Sequence, residues 1–212
     1  MKSTRKNNEL NCKLPIYEEF FRIKYSPEHW QMLKFKGEFF IKLYANLQEI
    51  PEEGIKVSEV IDFKHKLWSA RMILGVGCEL IVKSAFLKNG FIINKLISRK
   101  NLPKGISKNG LYKFEEFKKI KKGAFPHMKT ETISNFILIN NLSLLIKERI
   151  EDNSFFGFQI SRLWRNTYAH GSNYPYDIFG NENELVFSAL NNLYKLVFNE
   201  ECNLLKDKKL IL

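Results

Sequence analysis

Apolar side chains along this chain recur mainly at the three- and four-residue spacing of helices, and few runs alternate with the two-residue period of a strand. The first helical segment opens with Ser26-Pro27-Glu28. Serine is a good N-cap, proline suits the first helical position, and glutamate complements the positive end of the helix dipole. Trp30, Leu33, Phe40, Leu43, Tyr44 and Leu47 carry this helix to about Glu49, and Pro51 stops it. A second helix is expected from about Ser58 to Asn89-Gly90, a good C-terminal stop. Its apolar residues include Ile61, Leu67, Trp68, Ile73, Leu74, Leu80, Ile81 and Leu87. They cover too much of the surface for a single face, which predicts a central helix buried on more than one side.

Between about Phe91 and Pro126 the periodicity fades. Asn101-Leu102-Pro103-Lys104-Gly105 and Lys108-Asn109-Gly110 are turn signals, with a short helix expected around Tyr112 to Lys122. A third long helix is expected after Thr130, through Ile133, Phe136, Ile137, Ile139, Leu142, Leu145 and Ile146. Asp152 to Ser154 offer a cap for a fourth, from about Phe155 to His170. On it Phe156, Ile160, Leu163 and Thr167 form a narrow apolar stripe, with Arg162, Arg165 and Ala169 on the polar side. Asn181 caps a last helix through Leu185, Val186, Leu190, Leu193, Leu196 and Val197. Phe187, Tyr194 and Phe198 on it fit either core or contact surface. The expected fold is all-α, a bundle of four to five long helices. Residues 1–55 form an N-terminal extension with one long helix, and 56–212 form the helical domain. Residues from about 91 to 129 are an insertion between the second and third long helices.

Composition agrees with a packed core. Of 212 residues, 44% are hydrophobic and 14% aromatic, enough for one well-packed domain. The longest apolar run, Ile73 to Leu87, is broken by Glu79 and Lys83, so no segment reads as membrane-spanning. Met1 to Lys13 is polar and lysine-rich, unlike a signal peptide. Cys12, Cys78 and Cys202 are widely separated, which points to reduced thiols in a cytoplasm, with Cys78 as a small core residue. His29, His65 and His127 lack metal-ligand spacing and read as surface or core residues; no metal and no cofactor is expected.

Charge changes the picture more. Lys95 to Lys129 holds eleven Lys or Arg against Glu115 and Glu116, a local +9 out of the chain's +11. Such a tract attracts polyanions. Lys104, Lys108, Lys113, Lys118, Lys119, Lys121 and Lys122 are the candidate RNA contacts. The plainer reading is a solvated lysine-rich loop.

The candidate chemistry lies in Arg165-Asn166-Thr167-Tyr168-Ala169-His170-Gly171. An arginine offers a fixed fork of donors to a phosphate, and a histidine moves protons near neutral pH. Five positions correspond to about 140° around an ideal helix. Arg165 and His170 therefore converge if the helix frays at Gly171, or if neighbouring molecules bring them together. Arg22 and His29 make a second pair with similar spacing, but Ser26-Pro27 breaks the local helix there.

Arg165-Asn166-x-x-x-His170 resembles the Arg-polar-x(3–5)-His signature of the HEPN superfamily (higher eukaryotes and prokaryotes nucleotide-binding). Cys78 to Gly90, with Glu79 and Lys83, is similar to the Glu-x(3)-Lys helix ending in glycine often found upstream. The likeness covers about residues 60 to 205. It implies an all-helical homodimer with both signatures facing one groove. It implies a metal-independent endoribonuclease of toxin–antitoxin, abortive-infection or antiviral-defence type, with an antitoxin or defence-system protein as a possible partner. His170 would then be the general acid or base, Arg165 would hold the scissile phosphate, and Asn166 would orient the phosphate or the histidine. The products would carry a 2′,3′-cyclic phosphate and a 5′-hydroxyl. One position departs from the pattern. A subgroup is silenced by nucleotide transfer to a tyrosine two residues after the histidine, and Ser172 stands there.

Glu79 and Lys83 are either an ordinary i,i+4 pair or, with Arg162 and Tyr168, part of the groove. Three readings follow: an endoribonuclease; a catalytically silent module binding RNA, a nucleotide or a partner protein; and a structural bundle with an incidental Arg–His pair.

Overall fold

The computed structural model describes residues 27–47, 58, 60–96, 111–113, 128–146, 153–169 and 181–204. These residues are mostly helical. Helix α1 spans Pro27–Leu47, α2 Val60–Lys88, α3 Asn135–Asn140, α4 Phe156–Ala169 and α5 Glu182–Leu193. A π-helical turn, Tyr194–Phe198, continues α5.

Helix α2 is the axis of the fold, packing on α1, α3 and α4. Its Ala70, Leu74, Cys78, Ile81, Val82, Ala85 and Phe86 are all fully buried, as a helix that is apolar around its circumference requires. Asp62 in the first turn and Lys88 in the last complement the dipole. Gly90, at φ 77°, ends the helix in the left-handed conformation that glycine adopts without strain. Helix α1, assigned from sequence to the 1–55 extension, contributes Ile41 and Tyr44 to the same core as α2, α4 and α5. Its other side leaves Met32, Phe35 and Phe39 exposed.

Lys88 joins the C-terminal ends of two helices. Its ammonium donates to the carbonyls of Val197 at 3.1 Å and Phe198 at 3.0 Å. It also sits over the rings of Trp30 and Phe198. Asn199, at φ 58°, then turns the chain away. Tyr194 and Phe198 are buried and Phe187 packs against the core, so these aromatics belong to the interior.

The third long helix expected after Thr130 does not form. Strand β4, Met128–Thr132, pairs antiparallel with β2, Asn94–Leu96, matching Asn94 with Thr132 and Leu96 with Met128. Thr130, Thr132 and Ile133 are β-branched and favour the extended chain. Ser134 is extended and caps α3, which lasts six residues before the Asn141 side chain bonds back to the carbonyl of Ile137 at 2.7 Å. A 3-10 turn, Leu142–Leu145, follows. Strands β1, Phe91–Ile92, and β3, Tyr112–Lys113, form a second short ladder. Tyr112 and Lys113 therefore begin as strand rather than helix, and residues 114–122 lie outside the described residues.

The buried side of α4 matches the expected stripe at Ile160 and Thr167 and departs from it elsewhere. Phe156 is exposed and Leu163 half-buried, while Phe158, Ile160, Ser161, Trp164 and Thr167 are buried. Trp164 lies on this buried side. Its indole N–H donates to buried Glu182 at 3.2 Å, and the Arg71 guanidinium lies 5.0 Å from its ring centre. Such a partner keeps a buried tryptophan satisfied.

Candidate functional site

Three segments meet at one small cleft: the middle of α2, the junction of β4 with α3, and the C-terminal half of α4. On α2, Gly75, Glu79 and Lys83 stand at successive i,i+4 positions and so share one face. Gly75 allows α4 to approach. A Cβ placed there would lie 2.5 Å from the Ser161 carbonyl oxygen and 2.7 Å from Arg165 Cβ. One turn further on, Glu79 meets the arginine head group. Its Oε2 is 3.0 Å from Arg165 Nη1, an ion pair rather than an aligned hydrogen bond. Its Oε1 accepts from Lys83 Nζ at 2.5 Å. Lys83 Nζ also donates to Thr132 Oγ1 at 2.9 Å, tying the pair to β4.

The burial of these groups differs. The Glu79 and Lys83 side chains are 11% and 10% exposed, whereas that of Arg165 is 40% exposed. Glu79 lines the cleft with Lys83 behind it, and Arg165 is the more exposed of its two cationic partners. Arg165 Nη1 also donates to Asn166 Oδ1 at 3.3 Å. One turn earlier on α4, Arg162 Nε donates to Gln159 Oε1 at 3.1 Å, and Gln159 Nε2 donates to Asn140 Oδ1 at 2.7 Å. This chain of amides holds the Arg162 guanidinium 5.2 Å from the centre of the Phe136 ring.

The cleft encloses about 250 Å³. Glu79, Thr132, Asn135, Phe136, Arg162, Arg165 and Asn166 all line it. Lys83, Arg162 and Arg165 outnumber the single carboxylate of Glu79, leaving a local excess of positive charge. Two guanidinium groups beside an amide can bind an oxyanion through charge-assisted hydrogen bonds. Asn135 adds an unmet demand: it is 7% exposed, and its Oδ1 has no hydrogen-bond partner among the described residues.

Of the residues singled out from sequence, Glu79, Arg162, Arg165 and Asn166 line this cleft, and Lys83 adjoins it through Glu79. Tyr168 belongs to α4, but its side chain is outside the described residues, as is His170. Lys113 is exposed on β3 with its ammonium 5.3 Å from the Phe91 ring centre. Lys104, Lys108, Lys118, Lys119, Lys121 and Lys122 lie outside the described residues. The sequence reading passed over Gly75, Thr132, Asn135 and Phe136. A signal for the first was available, since Gly75-Val76-Gly77 inside a long helix marks a close backbone approach. The other three stood in a segment expected to be helical.

Cys78 is fully buried, and its thiol is pushed up to about 12, chiefly by burial, so it is an inert core residue. His29 is half-buried and His65 exposed against Trp68. Among the described residues no three His, Cys, Asp or Glu side chains cluster as a metal site would need. No described helix is long and apolar enough to cross a membrane. No family model, curated protein or solved structure matches the chain.

Proposed function

We propose that this protein is a metal-independent endoribonuclease of the HEPN type, acting as a homodimer in a toxin or antiviral-defence role. The observation that carries the reading is the position of Arg165. It lines a cationic cleft, beside Arg162 and Asn166, and is paired with Glu79. An arginine used only for packing has no need of a second guanidinium and an open cleft beside it.

In this reading Arg165 exchanges its contact with Glu79 for a phosphate oxygen of RNA. A phosphate offers it a bidentate partner of the same charge as the carboxylate. His170 takes the proton of the 2′-hydroxyl, whose oxygen attacks phosphorus, and the bond to the 5′-oxygen breaks. That oxygen leaves with a proton supplied by the partner subunit's imidazole or by the same one. Arg165 stabilises the extra negative charge on the phosphoryl oxygens at the transition state. The basic tract of residues 95–129 would hold the flanking strand.

One observation favours a second reading, a silent RNA-binding module: Arg165 already has a carboxylate partner in Glu79. Incubating purified protein with RNA in EDTA separates the two. The nuclease reading expects fragments ending in 2′,3′-cyclic phosphate, and none from His170→Ala or Arg165→Ala. RNA that is bound but left intact by wild type would establish the silent module instead.

A further inference from the structure

The Phe136 side of the cleft has its own chemistry, beyond the phosphate contact given to Arg165. Phe136 lines the cleft and is 50% exposed. The Arg162 guanidinium lies against it, fixed in place by Gln159. A flat exposed ring with a flat cation beside it is a stacking platform. Adjacent to it, Asn135 lines the same cleft, and its Oδ1 is buried with no donor among the described residues. A buried carbonyl oxygen left without a donor is costly, and a turn of the Asn135 amide towards the cleft would let a ligand N–H or O–H satisfy it.

We propose that this side of the cleft is a subsite for one unstacked nucleobase of single-stranded RNA, next to the phosphate held by Arg165. The face of the base extends the stack that Arg162 and Phe136 already form, and an amino or imino group on its edge donates to Asn135 Oδ1 once that amide turns into the cleft. Size supports a single nucleotide: about 250 Å³ is smaller than the ≈ 300–1,000 Å³ of pockets that enclose drug-sized ligands. A paired duplex presents neither a free base face nor a free edge, so the occupant is single-stranded. The subsite accounts for three features together: the exposed ring, the tethered guanidinium and the unpartnered amide oxygen. It rests on RNA being the ligand of the cleft, as proposed above, but not on cleavage.

The test uses full-length protein carrying His170→Ala, so that RNA stays intact, and short fluorescent RNA oligomers with or without a single abasic position. Phe136→Ala should weaken binding of the intact oligomer about ten- to a hundredfold, the range expected for losing one base–aromatic stack. The slope of affinity against salt should not change, because no phosphate contact is lost. Phe136→Trp should restore affinity, and its fluorescence should be quenched by the intact oligomer more than by the best-bound abasic one. Asn135→Ala should narrow the difference in affinity between oligomers of different base. The subsite is overturned if Phe136→Ala binds as tightly as its parent, if abasic and intact oligomers behave alike, or if the parent binds no RNA. Whether wild type cuts RNA in EDTA is scored separately, so each proposal can fail alone.

Discussion

Gly75 lies directly beneath Arg165: a methyl group at Gly75 would come within 2.7 Å of the arginine Cβ and 2.5 Å of the Ser161 carbonyl. The backbone of α2 thus sets how high the guanidinium stands in the cleft. Gly75→Ala should push α4 outward and cost about 1–3 kcal/mol, as other insertions of a methyl group into packed contacts do. Urea midpoints measure this, with Val76→Ala on the neighbouring half-buried position as the comparison. Under conditions where the variant is fully folded, RNA cleavage should still fall, since a displacement of about 1 Å can lower a rate by about 10²-fold. Normal cleavage by a destabilised variant would separate the packing role from the site.

Glu79 serves two cations of unequal exposure, and its removal should affect them differently. Lys83 is nearly buried and would keep only Thr132 Oγ1, whereas Arg165 is well solvated. Glu79→Ala should therefore destabilise the fold by about 3 kcal/mol, mainly through the stranded ammonium. Adding Lys83→Met should recover most of that loss, which a double-mutant cycle by urea denaturation would record. RNA affinity should move in the opposite direction, because Arg165 loses its internal competitor. Weaker RNA binding by Glu79→Ala would argue that the carboxylate contacts the ligand.

Much of this site was legible in the sequence, and the gaps have physical causes. The C-terminal end of α2 was readable because Asn89-Gly90 is a strong local stop signal. Arg165, Asn166 and Glu79 were found as residue types whose chemistry is scarce in an apolar neighbourhood. The face of α4 was read only in part because periodicity weights all apolar residues alike and takes no account of the hydrogen bond that buried Trp164 makes to Glu182. The Phe136 side of the cleft was missed because Thr130 to Ile146 is apolar at helical spacing as well. There β-branched residues and Ser134 override the periodicity, and Thr132, Asn135 and Phe136 arrive at the cleft from a strand and a single short helix.

Cys78 gives a pH dependence with a definite sign. Its thiol, ordinarily near 9.0, is raised to about 12 in the folded protein, chiefly because burial disfavours the thiolate. The folded state therefore keeps a proton that the unfolded chain releases above about pH 9. The stability this contributes is complete below that pH and declines as pH rises towards 12. At about pH 10.5 the loss due to this residue should be about 2 kcal/mol. Lysines and tyrosines titrate in the same window, so the measurement is the difference between wild type and Cys78→Ala in urea midpoints at about pH 8 and 10.5. Wild type should lose more. Equal slopes would mean that water reaches the thiol, in which case a disulfide reagent should also label it in the native protein.

If RNA is the ligand of the cleft as proposed, the basic tract tests how far it extends beyond it. Each lysine that neutralises a phosphate of a single strand contributes about 0.7 to the slope of log affinity against log salt. Changing Lys118, Lys119, Lys121 and Lys122 to glutamine should lower that slope by up to about 3 and weaken binding most at low salt. The cleft variants should behave otherwise. If Arg165 holds a phosphate as proposed, Arg165→Ala should lower the slope by about 0.7. If the quadruple variant kept the parent slope, the lysines would be a solvated loop, and electrostatic attraction would have to come from the cleft itself. If the slope fell while cleavage at saturating RNA stayed constant, the tract would be a tether that raises affinity without taking part in the chemistry, as uniform binding energy does.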